Sequence, residues 1–119
     1  MSQKILILAR TAPYGSSLAR EAIDFALTSA AYDQDLSILF QGDGVFQLLK
    51  NQQPQKSIQK NHLSALEVLP LYEIEQLYTV KEDLIERGLT EESLGVPVNV
   101  LTRAEAHSLI SQQDSVMSF

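Results

Sequence analysis

Short, wholly apolar runs alternate along this chain with longer stretches of helical spacing. Ile5-Leu6-Ile7-Leu8-Ala9 is apolar at every position, so the run from Lys4 to Ala9 reads as a strand covered on both faces. It is far shorter than the roughly 18 residues a membrane-spanning helix needs. From about Ser17 to Tyr32, Ala19, Ala22, Ile23, Ala26, Leu27 and Ala30 fall on one helical face, with Arg20, Asp24 and Thr28 opposite. Leu18 and Phe25 form a second apolar flank, about 80–100° round the helix from that stripe. Leu36 to Phe40 is a second buried strand. Gly42-Asp43-Gly44 then leads into a short helix from about Val45 to Lys50, with Asp43 as the expected N-cap.

The second half repeats this alternation. Lys50 to Asn61 contains three lysines, four glutamines and one proline, and reads as an exposed loop. A helix from about His62 should end at Leu69, because Pro70 disfavours helical backbone at the residue before it. A third strand fits Ile74 to Thr79. Thr79 and Glu82 have capping-box spacing, opening a helix that Gly88 can close. Val96 to Leu101 reads as a fourth strand, Thr102 and Glu105 as a second capping box, and Ser115 to Phe119 as a short fifth strand. Strand and helix in alternation predict an α/β fold with parallel crossovers.

With 119 residues the chain has the size of one domain, expected to span 1–119. Hydrophobic residues at 45% and charged residues at 20% are ordinary globular values. Nine Lys and Arg against fifteen Asp and Glu give a net charge of −6, which argues against direct nucleic-acid binding. Most of the excess lies between Glu73 and Glu92, where seven acids meet two bases. That stretch is a solvated acidic face or a guide for a basic partner. No leader and no membrane span is visible, so a cytoplasmic location is expected.

Candidate chemistry is sparse. Cysteine is absent, so the chain offers no thiolate nucleophile, disulfide or thiolate metal site. Two histidines, His62 and His107, make a histidine metal site improbable and read as surface or half-buried side chains. Neither a dinucleotide-binding glycine fingerprint nor a P-loop follows any strand. Ser16 and Ser17 have no recognisable His-Asp partners. Phe46 and Tyr72 read as core. Tyr14, in the loop after the first strand, reads as exposed and suited to anchor a partner. No catalytic residue, metal or cofactor is expected.

Several segments resemble one known family. They are Ala12-Pro13-Tyr14-Gly15 with Arg20-Glu21-Ala22-Ile23-Asp24, then Gly42-Asp43-Gly44-Val45-Phe46-Gln47-Leu48-Leu49, Leu71 to Gln76, Glu86-Arg87-Gly88-Leu89, and Asp114 to Phe119. Together they are similar to the TusC, or DsrF-like, family within the DsrE/DsrF/DsrH group. The resemblance implies a single-domain, Rossmann-like three-layer α/β sandwich with a mostly parallel sheet of about five strands. It implies assembly with TusB-like and TusD-like subunits into a heterohexamer, a dimer of heterotrimers, that relays sulfur toward 2-thiolation of the wobble uridine of tRNAs. In that family the persulfide cysteine belongs to the TusD-type subunit, at the exit of a central strand. The comparable place here is Thr79-Val80, with no cysteine, which implies a non-catalytic, structural subunit. Tyr14, Leu18 and Phe25 are the expected partner contacts. A DsrF-type subunit of sulfur oxidation and a flavodoxin-like small-molecule binder are the alternatives. Against the second, Pro13-Tyr14 puts bulk where phosphate contacts would be needed.

Overall fold

The computed structural model describes residues 3–32, 34–50 and 56–119, with backbone alone for 56–61. Five strands form one sheet: β1 (Lys4–Ala9), β2 (Asp35–Phe40), β3 (Gln76–Val80), β4 (Asn99–Leu101) and β5 (Ser115–Ser118). Their order is β4-β3-β2-β1-β5, and every pairing is parallel. Four helices connect them: α1 (Leu18–Ala30), α2 (Lys56–Glu67), α3 (Lys81–Glu86) and α4 (Arg103–Ser111).

The apolar runs are continuous because both faces of the sheet are covered. Along β1 and β2, Ile7, Ala9, Leu36, Ile38 and Phe40 point to one side, where Ala22, Ile23 and Ala26 of α1 and Leu66 of α2 pack on them. Leu6 of β1 and Leu39 of β2 point to the other side, with Val80 of β3, against Ala106, Leu109 and Ile110 of α4. Fully burying such a side chain contributes about 2 kcal/mol, so this core pins the register of the central strands. The result is a three-layer sandwich.

Element boundaries differ from the expected ones in five places. After β2 the chain forms a 3₁₀ segment, Gly42–Leu48, with Gln41 and not Asp43 at the N-cap position and no capping bond from its side chain. Helix α2 begins at Lys56, so residues 56–61 are helical and not loop; residues 51–55 of the expected loop lie outside the described residues. A 3₁₀ turn, Leu69–Tyr72, follows α2 and ends with Glu73 in the left-handed region, φ 65°. Strands β3 and β4 start later than expected, at Gln76 and Asn99. Two aromatic and histidine expectations also change. Tyr72 is 55% exposed and not core, while His62 is buried.

Candidate functional site

In open α/β sheets reacting groups gather beyond the carboxyl ends of the strands. Here that edge is formed by the turn after β2, the β3–α3 junction and the start of α4. Val80 ends β3 with its side chain fully buried. The Thr79 hydroxyl donates to the Phe40 carbonyl at 3.0 Å, tying β3 to β2. It therefore does not cap α3: the Thr79–Glu82 capping box does not form, and Val80 is the N-cap. The Thr102–Glu105 box does form. The Glu105 N–H donates to the Thr102 hydroxyl, and the Thr102 N–H donates to the Glu105 carboxylate at 2.8 Å.

Around Val80 lies a compact ionic cluster. Asp83, buried in the first turn of α3, accepts from the Gly42 N–H at 2.8 Å and from an Arg103 guanidinium nitrogen at 2.9 Å. Arg87, one turn along α3, donates to the Asp83 backbone carbonyl and pairs with the exposed Asp43 carboxylate at 3.1 Å. Burial opposes ionisation of Asp83. The Gly42 N–H, then Arg103 and Arg87, outweigh it and hold the carboxyl below its ordinary range. Gly42, with φ +56°, makes the turn that presents its N–H. Gly44 has a different reason to be glycine. A Cβ there would lie 1.8 Å from the Ala9 carbonyl oxygen, so the 3₁₀ segment can press against the end of β1 only without a side chain.

A second polar chain lies behind the first loop. The buried Gln47 side-chain amide donates to the Thr11 carbonyl at 2.8 Å, and its Oε1 lies 2.8 Å from Nε2 of His62. With that amide orientation the His62 Nε2–H is the donor. Burial, and secondarily the positive charge of Arg20, lower its pKa to about 4. His62 is thus a neutral strut between α2 and the 3₁₀ segment. At the point where strand order reverses, between β1 and β5, the ladder continues past the strand ends. Phe119 N–H donates to Leu8 and Arg10 N–H to Phe119, both at 2.9 Å.

The DsrE/DsrF-like family model matches residues 3–119. The chain belongs to the DsrE/DsrF-like family. A protein TusC homolog from Pseudomonas aeruginosa is 39% identical over 118 residues, 99% of this chain and 99% of that protein. Another from Aliivibrio fischeri is 36% identical over 110 residues, 92% and 93% of the two chains. Among solved structures, the ychN protein from E. coli superposes with a TM-score of 0.82 at 27% identity, covering 98% of this chain and 99% of that one. The fold is therefore the DsrE-like sandwich.

This DsrE/DsrF-like chain brings Asp43, Thr79-Val80 and Thr102 to one edge, as the strand pattern implied. Sequence reasoning missed Asp83, Arg87 and Arg103; the i, i+4 spacing of Asp83 and Arg87 on a short helix was the available signal. It also missed the Gln47–His62 pair, which local spacing cannot reveal. Tyr14 and Leu18 are exposed, at 42% and 39%. Phe25 is half-buried against the core, its ring centroid 5.8 Å from that of Phe119. His107 is exposed. Among the described residues no group of three His, Cys, Asp or Glu side chains is placed to hold a metal, and no helix is long and apolar enough to cross a membrane. The edge is an electrostatic clasp joining α3, α4 and the turn after β2.

Proposed function

We propose that this chain is a non-catalytic subunit of a TusBCD-type sulfur relay that serves 2-thiolation of the wobble uridine of tRNAs. The whole chain would act as one DsrE/DsrF-like unit in the cytoplasm, beside TusB-like and TusD-like subunits in a dimer of heterotrimers. The observation that supports this most is the residue at the exit of β3. In a chain similar throughout to proteins named TusC homolog, that residue is a buried valine, and no cysteine occurs anywhere. A buried valine cannot accept sulfur. The persulfide would then reside on a sister subunit, and this chain would hold that subunit in place. Tyr14 and Leu18, on the loop and first turn of α1, are the proposed contacts, together with the half-buried Phe25 further along α1. Contact with tRNA would be indirect, since the net charge is −6.

Deleting the gene in its native host and measuring 2-thiouridine in tRNA nucleosides by mass spectrometry tests the reading. The modification is expected to disappear and to return with the wild-type chain, with a tagged copy retaining two homologous subunits. Intact mass after exposure to a persulfide donor should gain sulfur on a partner and never on this chain. Unchanged 2-thiouridine in the deletion strain, or a stable added sulfur on this chain, would refute it.

A further inference from the structure

At the opposite end of the sheet, where β3 and β4 begin, the surface has a different character. The end of α2, the 3₁₀ turn after it, the start of β3 and the approach to β4 enclose a cleft of about 420 Å³. Leu66, Leu77 and Val96 form its floor, all belonging to the main core, and Pro70 and Pro97 form its sides. The two charged residues lining it are both acids, Glu67 and Glu75, and Glu73 follows Pro70 on the same turn. Beside the cleft that turn raises an apolar knob. Leu71 is 81% exposed, Tyr72 is 55% exposed, and Val68 adjoins them. A leucine so exposed beside an open apolar cleft has left water unfavourably placed on both.

Knob and hole side by side would suit an isologous pair, each copy's knob filling the other's hole. The charges argue against that occupant. A two-fold axis would bring Glu67, Glu73 and Glu75 of one copy toward the same residues of its mate, and opposed like charges are costly as water leaves. The same acids favour positive charge around an inserted apolar side chain. We propose that this cleft and knob dock a segment of a different protein in which apolar side chains are flanked by lysines or arginines. A partner of that chemistry fits whether or not the chain serves sulfur relay, and this surface lies away from Val80 and from Tyr14.

An array of synthetic peptides tests it, with an apolar pair flanked by lysines, by glutamates or by serines, and a lysine-only set as control. The full chain is expected to bind the lysine-flanked apolar set about tenfold more tightly than the serine-flanked set, the scale of two partly desolvated ion pairs. Glu67→Lys combined with Glu75→Lys should move the preference to the glutamate-flanked set. Leu71→Ser should weaken binding to every apolar set. These three side chains are exposed, so thermal unfolding like wild type is expected, and Leu71→Ser reads the surface even if charge reversal perturbs folding. The proposal is overturned by no binding or equal binding of the apolar sets, by lysine-only peptides binding as well, or by a preference that charge reversal leaves unmoved. A homodimer that Leu71→Ser dissociates in sedimentation would also overturn it, because a second copy would then be the occupant.

Discussion

His62 shows how one buried side chain sets a property of the whole protein. In the fold it is neutral, with a pKa of about 4, while in the unfolded chain it titrates at its ordinary 6.5. Between those values the unfolded state binds the extra proton, so stability is complete above pH 6.5 and falls as pH drops toward 4. The slope is bounded at about 1.4 kcal/mol per pH unit for a single proton. Urea unfolding across this window should show the loss in wild type and its absence in His62→Gln, which keeps a donor for Gln47. An equal slope in both would remove His62 as the cause. Asp83 acts in a different range: its carboxyl is held below the ordinary 3.8, so its contribution persists above that value and fades only in stronger acid. Neither role was legible in the sequence. Their roles depend on partners far along the chain, Gln47 and Thr11 for His62, Gly42 and Arg103 for Asp83.

At the scale of elements, periodicity was legible wherever an apolar face was continuous. The bounds of β1, α1 and β2, and the capping box of α4, follow from short-range patterns that packing reinforces. Periodicity failed where a helix has little apolar surface: the first turn and a half of α2, Lys56 to Asn61, holds one apolar residue, Ile58. It failed again after β2, where the chain takes a 3₁₀ path that brings Gly44 against the end of β1. Asp43 there has a carboxylate on Arg87, and Gln41 takes the cap position. Caps and ion pairs predict different mutant series. A cap would leave Asp43→Asn near wild type and cost Asp43→Ala about 1 kcal/mol. The ion pair predicts a similar loss for both, about 0.5 kcal/mol, fading at high salt and coupled to Arg87→Ala in a double-mutant cycle. Arg87→Ala alone should cost more, since that guanidinium also bonds the Asp83 carbonyl. A silent Asp43→Asn beside a costly Asp43→Ala would restore the cap.

At the scale of the molecule, the two ends of the sheet differ in kind. The carboxyl edge carries paired charges, Asp83 with Arg103 and Asp43 with Arg87, while the amino ends of β3 and β4 frame an apolar cleft. The flank of α1 is a third surface, and here the fold divides residues that the helical wheel puts together. Leu18 and Phe25 lie on one flank by spacing, yet Leu18 is exposed while Phe25 packs on the core and on Phe119, nearly a hundred residues away in sequence. No pattern within α1 could separate them, because the neighbour that covers Phe25 arrives with the last strand. The consequence is a difference between two substitutions. Phe25→Glu places a charge against the core, so it should lower the unfolding temperature and weaken partner capture together. Leu18→Glu changes an accessible side chain, so unfolding should stay near wild type, and capture of the proposed sister subunits should fall only if this flank is the contact. Co-purification of both variants beside thermal unfolding separates stability from assembly. Loss of capture in Leu18→Glu at unchanged stability would place a sister subunit on the first turn of α1. Full capture would move the contact away from Leu18, leaving the Tyr14 loop, the carboxyl edge and the acidic cleft as the surfaces to probe.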